Sequence, residues 1–345
     1  MFLRHTTANE NDVGTWERGH LSTDSIFRGE KRMGHYLVTG GAGFIGSHIV
    51  DELVRRGETV RVLDNFFSGR RENIAQHRGR IEVVEGDLRD LETVRRAVAG
   101  MEYVLHLAAI ASVPRSVAAP LASHEANATG TLHVLLAARD AGVRRVVYSS
   151  SSSVYGNGPT LPKHEAMAPQ PLSPYAVSKL AGEQYCMAFH EVYGLPTVGL
   201  RYFNVFGPRQ DPTSEYAAVI PRFITAMLQG HSPIIYGDGL QSRDFTYVAN
   251  VVAANLLACE RESAVGQVMN VALGERITLL ELVEDLNNIL GTQLAPRFEA
   301  ERPGDVKHSQ ADTARVKAVL GFEQRVDFRS GLRETVQWFR EVSVK

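Results

Sequence analysis

From residue 35 to about 207, short apolar runs alternate with longer stretches of helical character, and that alternation sets the class of fold. Residues 36–38, 59–63, 81–84, 103–107, 145–148 and 196–200 read as buried strands, and residues 44–56, 91–99, 126–141 and 174–193 read as helices. Strands that are apolar throughout need cover on both faces, which crossover helices supply when the strands run parallel. Right-handed crossovers then give a doubly wound α/β sheet of the Rossmann type. Beyond residue 207 the pattern is broken by Pro208, Pro212, Pro221 and Pro233 and by the turn Gly237-Asp238-Gly239. Residues 281–290 read as an amphipathic helix, with Thr278 and Glu281 as a capping box and Gly291 as the stop. The expected organisation is a cofactor-binding domain over 34–207 and a smaller mixed α/β substrate-binding domain over 208–345, with some segments of the latter returning to the sheet.

Residues 1–33 stand apart. They are polar, they lack the apolar core of a secretion signal, and the patterned sequence begins only at His35. They are expected to form a disordered or loosely attached extension, with Met33 as an alternative start. A cytoplasmic location is expected. No run of 18 apolar residues offers a membrane span. The formal net charge of -2 argues against general nucleic-acid binding, which goes with a basic excess. Two cysteines, Cys186 and Cys259, are too few for a disulfide framework or a cysteine zinc site, and the histidines show no ligand spacing, so no metal is expected.

Gly40, Gly43 and Gly46 follow the first strand directly and open the first helix. Without side chains the backbone can turn tightly and approach a pyrophosphate, and the helix start at Phe44 and Ile45 supplies free N–H groups. Asp64, with Asn65 beside it, ends the second strand, where a carboxylate accepts hydrogen bonds from an adenosine ribose and repels a 2′-phosphate. The cofactor is therefore expected to be NAD. Asp87-Leu88, after the third strand, either caps the following helix or contacts the adenine. Leu107, Ala108 and Ala109 end the fourth strand with residues that let backbone lie against a ligand.

Ser149–Ser153 follows the apolar part of the fifth strand, where hydroxyls would face the ligand crevice. Tyr175 and Lys179 are spaced i,i+4 and share a helical face. A free tyrosine has a pKa of about 10. A nearby ammonium and a cationic nicotinamide would favour its phenolate, which could then take a proton from a substrate hydroxyl as hydride leaves. A serine hydroxyl would orient the same oxygen or relay the proton.

On these residues the chain resembles the extended short-chain dehydrogenase/reductase family, and within it the nucleotide-sugar 4-epimerases acting on UDP-glucose and UDP-N-acetylglucosamine. The resemblance runs from about residue 35 to 340. It rests on the segments 39–46, 106–109, 149–156, 173–179, 200–208, 242–245 and 302–305. It implies that Tyr175 is the base, Lys179 its electrostatic and ribose-binding partner, Ser151 the catalytic hydroxyl and Ser153 a second substrate contact. Asn204 would contact the sugar-side phosphate, Val219 and its neighbours the uracil, Arg243 and Arg302 the pyrophosphate, and Asp305 the uridine ribose. Two departures matter. A lysine that some members carry after the fourth strand is Ala111 here, which leaves Arg115 to serve the substrate. A gatekeeper position that is a bulky aromatic in glucose-only members is Ser309, which leaves volume for an N-acetyl group.

Dehydratases of this kind carry an Asp-Glu pair beside the catalytic hydroxyl, and decarboxylases a Glu. Ser152 and Ser153 stand there instead. The resemblance therefore implies a UDP-hexose 4-epimerase working by reversible oxidation at C4, as a homodimer with no membrane or nucleic-acid partner. UDP-glucuronate 4-epimerase is the alternative within the reaction. A non-catalytic NAD sensor or scaffold is the alternative outside it, and such a protein would have no need of Ser151, Tyr175 and Lys179 together.

Overall fold

A computed structural model describes residues 33–212, 218–301 and 307–343. Seven strands form the central sheet: β1 His35–Thr39, β2 Thr59–Asp64, β3 Glu82–Glu85, β4 Tyr103–His106, β5 Arg145–Ser151, β6 Thr197–Tyr202 and β7 Gln267–Val271. Their order is β7-β6-β5-β4-β1-β2-β3, and every pairing is parallel. Chain order reverses between β1 and β4, the point at which a doubly wound sheet opens a crevice at its carboxyl edge. β7 comes from the C-terminal half and docks beside β6.

The longer helices are α1 Phe44–Arg55, α2 Leu91–Val98, α3 Gly130–Asp140, α4 Pro174–Tyr193, α5 Val219–Leu228, α6 Val248–Glu260, α7 Leu279–Leu290, α8 Ala314–Leu320 and α9 Phe328–Ser343. Strand alternation sends Val38 into the core shared with α1, α6 and α8, and Leu37 into the core shared with α2, α3 and α4. Both faces of the sheet are thus covered, which explains why its strands are apolar throughout. A third core, built from Phe206, Ile220, Phe223, Tyr247, Leu282 and Phe328, gathers α5, α7 and α9. Three two-stranded pieces accompany it, pairing Val205–Phe206 with Thr246–Tyr247, Ser242–Arg243 with Ile277–Thr278, and Ile234–Tyr236 with Arg297–Glu299.

Several local expectations hold and others are corrected. Thr278 Oγ1 accepts from Glu281 N at 3.1 Å, Glu281 Oε2 accepts from Thr278 N at 2.7 Å, and Gly291 ends α7 at φ +72°. The helix expected over 126–141 begins instead with a π-helical turn, Glu125–Thr129, before α3. The serines expected to end a strand continue it, for β5 runs through Ser151 with Ser149 and Ser150 buried. Residues 1–32, with the expected extension, lie outside the described residues.

Candidate active site

The strand register brings the motifs to one edge. Thr39 pairs with His106, His106 with Tyr148, and Ser151 with Tyr202. The glycine loop, residues 107–109, the serines and Asn204 therefore leave adjacent strands at their carboxyl ends.

The glycine loop is a cradle in which added carbon has no room. Gly40 sits at φ +69°, and a Cβ there would lie 2.9 Å from the backbone of Ala108. A Cβ on Gly46 would overlap the carbonyl of Gly40. No side chain caps the N-terminus of α1, and its first turn holds no acid. Phe44 and Ile45 turn their side chains into the C-terminal core, so what they can offer a ligand is backbone. Uncapped N–H groups at a glycine turn suit a pyrophosphate.

Asp64 ends β2 with both oxygens engaged: Oδ2 accepts from Ala42 N at 2.9 Å and Oδ1 from Phe66 N at 2.8 Å. Burial pushes its carboxyl up, and these two bonds pull it back. Each oxygen retains a lone pair, so the group can shape the loop and still accept a ribose hydroxyl. Asn65 donates to Asp87 at 2.8 Å, joining the ends of β2 and β3. The cap of α2 is Asp90, which accepts from Glu92 N and Thr93 Oγ1, not Asp87. Asp87 instead grips Arg89 through both oxygens at 2.9 Å, and that guanidinium holds it far below the usual carboxylate range. The Leu88 side chain is buried in the sheet core.

Tyr175 and Lys179 stand on one face of α4. Ser173 caps that helix by accepting from Ala176 N at 3.1 Å, and Pro174 fits its first turn, where no N–H is needed. The Ser151 hydroxyl faces the Tyr175 phenol and acts to lower its pKa. Ser151 Oγ accepts from Ser153 N at 3.2 Å and Ser153 Oγ at 2.9 Å, so the two serines assigned to the site are joined to each other, with Ser151 the one that faces the tyrosine. Ser150 does not. Strand alternation turns its hydroxyl inward, where it donates to Glu183 at 2.7 Å.

The charge balance differs from the sequence expectation. Burial pushes the Tyr175 phenol up, with the Ser151 bond opposing it. Burial also draws Lys179 down to about 8, with Cys186 and Glu183 opposing. The chain's own residues thus do not lower the phenol, because desolvation outweighs them. Lys179 lies 4.6 Å from the ring centre of Tyr148, a favourable cation–π placement.

Sequence reading missed the scaffold behind these residues. Ser116 accepts from Tyr175 N at 3.0 Å, tying the turn Val113–Ala118 to the start of α4. Ser112 followed by Pro114 was its local signal, a cap residue before a first-turn proline. Asn127, in the π-helical turn, accepts from Ile110 N at 2.7 Å and donates to Ser178 at 3.0 Å. His106 is clamped between Thr39 at 2.7 Å and Thr131 at 3.0 Å, and burial lowers it to about 3, so it is a neutral part of the frame. No spacing in the sequence announces these contacts.

On the C-terminal side, a cavity of about 240 Å³ is lined by Asn204, Val219, Arg222, Tyr236, Arg243 and Phe245, among others. Asn204 holds φ +33°, which asparagine tolerates better than most residues. It donates to the Asp244 carbonyl at 3.0 Å and to Ser309 Oγ at 3.4 Å. The structure therefore brings Asn204, Val219, Arg243 and Ser309 together. Arg115 is exposed on the turn that holds Tyr175, with its guanidinium 5.5 Å from the ring centre of Phe67. Arg302 and Asp305 lie outside the described residues. No helix among the described residues is long and apolar enough to cross a membrane.

A glycine cradle at the switch point of a parallel sheet, followed by a serine–tyrosine–lysine group, defines a short-chain dehydrogenase-type enzyme that works on a bound dinucleotide. The chain belongs to the NAD dependent epimerase/dehydratase family, whose sequence model matches residues 36–272, and NAD is its cofactor. A UDP-glucose 4-epimerase of Mycolicibacterium smegmatis is 40% identical over 311 residues, covering 89% of this chain and 99% of the relative. A UDP-N-acetyl-alpha-D-glucosaminuronate decarboxylase of Bacillus cytotoxicus is 35% identical over 317 residues, covering 89% and 98%. Among solved structures, a UDP-N-acetylglucosamine 4-epimerase of Methanobrevibacter ruminantium, in complex with UDP-N-acetylmuramic acid, superposes with a TM-score of 0.86. It is 45% identical and covers 90% of this chain and 99% of that one.

Proposed function

We propose that the protein is a UDP-hexose 4-epimerase, interconverting UDP-GlcNAc with UDP-GalNAc, UDP-glucose with UDP-galactose, or both. The observation that carries this reading is the hydrogen-bonded pair Ser151–Ser153, with Ser151 facing Tyr175 and no acid among them. The similarity to 4-epimerases supports it. Decarboxylases and dehydratases of this fold use an acid beside the catalytic hydroxyl, and positions 152 and 153 here are serines.

In this reading residues 34–207 hold NAD and residues 208–345 hold the nucleotide end of the substrate. Tyr175 takes the proton from the sugar O4, with Ser151 orienting that oxygen and Lys179 supplying positive charge beneath it. NAD, which the glycine loop and Asp64 would hold, would supply the hydride acceptor and donor for the sugar C4. Arg243 holds diphosphate oxygens, for which a guanidinium fork is suited. Val219 and Phe223 offer apolar walls to the base. A firm grip on the nucleotide and few contacts to the sugar leave the keto sugar free to turn. Ser309 gives an N-acetyl group room beside Asn204. Val177, Tyr185 and Val192, apolar and exposed on α4, support a homodimer packed through that helix.

A second reading keeps the reaction and takes UDP-glucuronate, with the Arg115 guanidinium meeting the carboxylate. Among the described residues Arg115 has no carboxylate partner of its own. Purified protein incubated separately with UDP-GlcNAc, UDP-glucose and UDP-glucuronate, without added NAD, tests both. A 4-epimer of one of the first two on anion-exchange chromatography is the expected result, with Tyr175→Phe inactive yet still carrying NAD. Turnover of UDP-glucuronate alone selects the second reading. No product from any of the three, even with NAD supplied, refutes both.

A further inference from the structure

Glu183 and Arg201 form an ion pair that the proposed chemistry does not use. Glu183 is 0% exposed and Arg201 4%. Arg201 Nε donates to Glu183 Oε2 at 2.9 Å and Nη2 to Oε1 at 2.6 Å. Packed apolar residues commonly stabilise a core as well as such a pair, so stability is a weak reason for burying it. Its placement is more informative. Glu183 lies four residues after Lys179 and eight after Tyr175, on the same face of α4. Glu183 Oε2 also accepts from Ser150 Oγ at 2.7 Å. Arg201 pairs with Ser150 across the sheet and lies 4.7 Å from the ring centre of Tyr155, whose hydroxyl donates to Asn270 of β7 at 2.6 Å. One carboxylate thus joins the helix that carries the base to the strand end that carries Ser151.

We propose that Glu183, locked to Arg201, is a positioning residue of the active site. It fixes the Ser151 strand end through Ser150, and the pair keeps the ground beneath Lys179 electrically neutral. Among the described residues, the groups facing Lys179 and Glu183 are few. Cys186 and Tyr175 come from α4, Tyr148 and Ser150 from β5, His106 from β4 and Arg201 from β6. Apart from Glu183 and Arg201, and from Tyr175 when it acts as the base, these are neutral at working pH. Removing one member of the pair therefore exposes Lys179 to the uncompensated charge of the other.

The inference rests on the epimerase reading, and the test separates the two: an inactive wild-type protein refutes that reading, whereas an active one allows the inference to be judged. The alkaline limb of the pH–kcat profile would report deprotonation of Lys179. Glu183→Gln leaves a bare guanidinium and should move that limb about one unit toward lower pH; Arg201→Met leaves a bare carboxylate and should move it about one unit toward higher pH. Arg201→Lys should bring it back. A purely structural pair would lower the unfolding temperature of both variants and shift both limbs alike or not at all, and that result overturns the proposal. Should either variant fail to fold, Ser150→Ala decides, since it removes only the tether. The expected result is kcat down about tenfold, with KM and NAD content within twofold of wild type; unchanged kcat overturns the proposal.

Discussion

Gly182 lies in the middle of α4, where alanine would ordinarily help. Alanine favours a helix interior over glycine by about 1 kcal/mol. Here the structure opposes it. A Cβ at 182 would overlap the hydroxyl of Tyr148, and lie 2.7 Å from its Cζ and 3.1 Å from its Cε2. Tyr148 is 1% exposed, its hydroxyl donates to the Lys179 carbonyl at 3.1 Å, and its ring lies beneath the Lys179 amine. Either the ring or the helix has to move by roughly 1 Å, an overpacking that costs about 1–3 kcal/mol, with about 1 kcal/mol more for the broken hydrogen bond. Gly182→Ala should therefore lose about 1–3 kcal/mol in urea unfolding in spite of its helix propensity. It should also lose kcat by about tenfold to a hundredfold, because the displaced ring supports Lys179. Adding Tyr148→Phe removes the nearest atom. The double variant should recover part of the loss, giving a coupling energy of about 1 kcal/mol. A Gly182→Ala protein more stable than wild type with unchanged kcat would refute the reasoning.

Three further outcomes follow from the same contacts. Ser309→Tyr should fill the space beside Asn204 and lower kcat/KM for UDP-GlcNAc about tenfold to a hundredfold relative to UDP-glucose; an unchanged ratio in a two-substrate assay would remove Ser309 from the specificity argument. His106 is held at about 3 against 6.5 unfolded, so its contribution to stability is fully present above pH 6.5 and is lost as pH falls toward 3. At pH 5 the loss is about 2 kcal/mol, and His106→Gln should flatten that part of the pH dependence in urea titrations at pH 7 and pH 5. Asp244 is fully buried and accepts from Leu273 N, Gly274 N and Ala311 N at 3.0–3.1 Å. Asp244→Asn turns an amide NH2 against one of those donors and should cost about 2–3 kcal/mol, with a raised KM because Ala311 and Asn204 hold the Ser309 loop; an unfolding midpoint equal to wild type would contradict this.

The alternation of apolar strands and helices, the three glycines, Asp64, the serine run and the Tyr175–Lys179 spacing were all legible in the chain. Each is a local signal. Strand and helix periods are written along the backbone, a tight turn needs glycine within a few residues, and an i,i+4 spacing sets a shared face whatever the helix packs against. The doubly wound class followed as well, because crossover handedness leaves few alternatives, whereas the order of the strands came from the structure. What lay beyond the sequence depended on contacts distant in the chain. Ser116 reaches Tyr175 across 59 residues, Asn204 reaches Ser309 across 105, and Tyr155 reaches Asn270 across 115. Five identical serines gave no sign of which one turns inward. Only the packing of α4 on β5 decided that Ser150 meets Glu183 while Ser151 faces the tyrosine. The charge state of the site was likewise a tertiary matter. Residue types name the base and its ammonium partner, but burial, which exists only once the fold has closed over them, pushes Tyr175 up and Lys179 down.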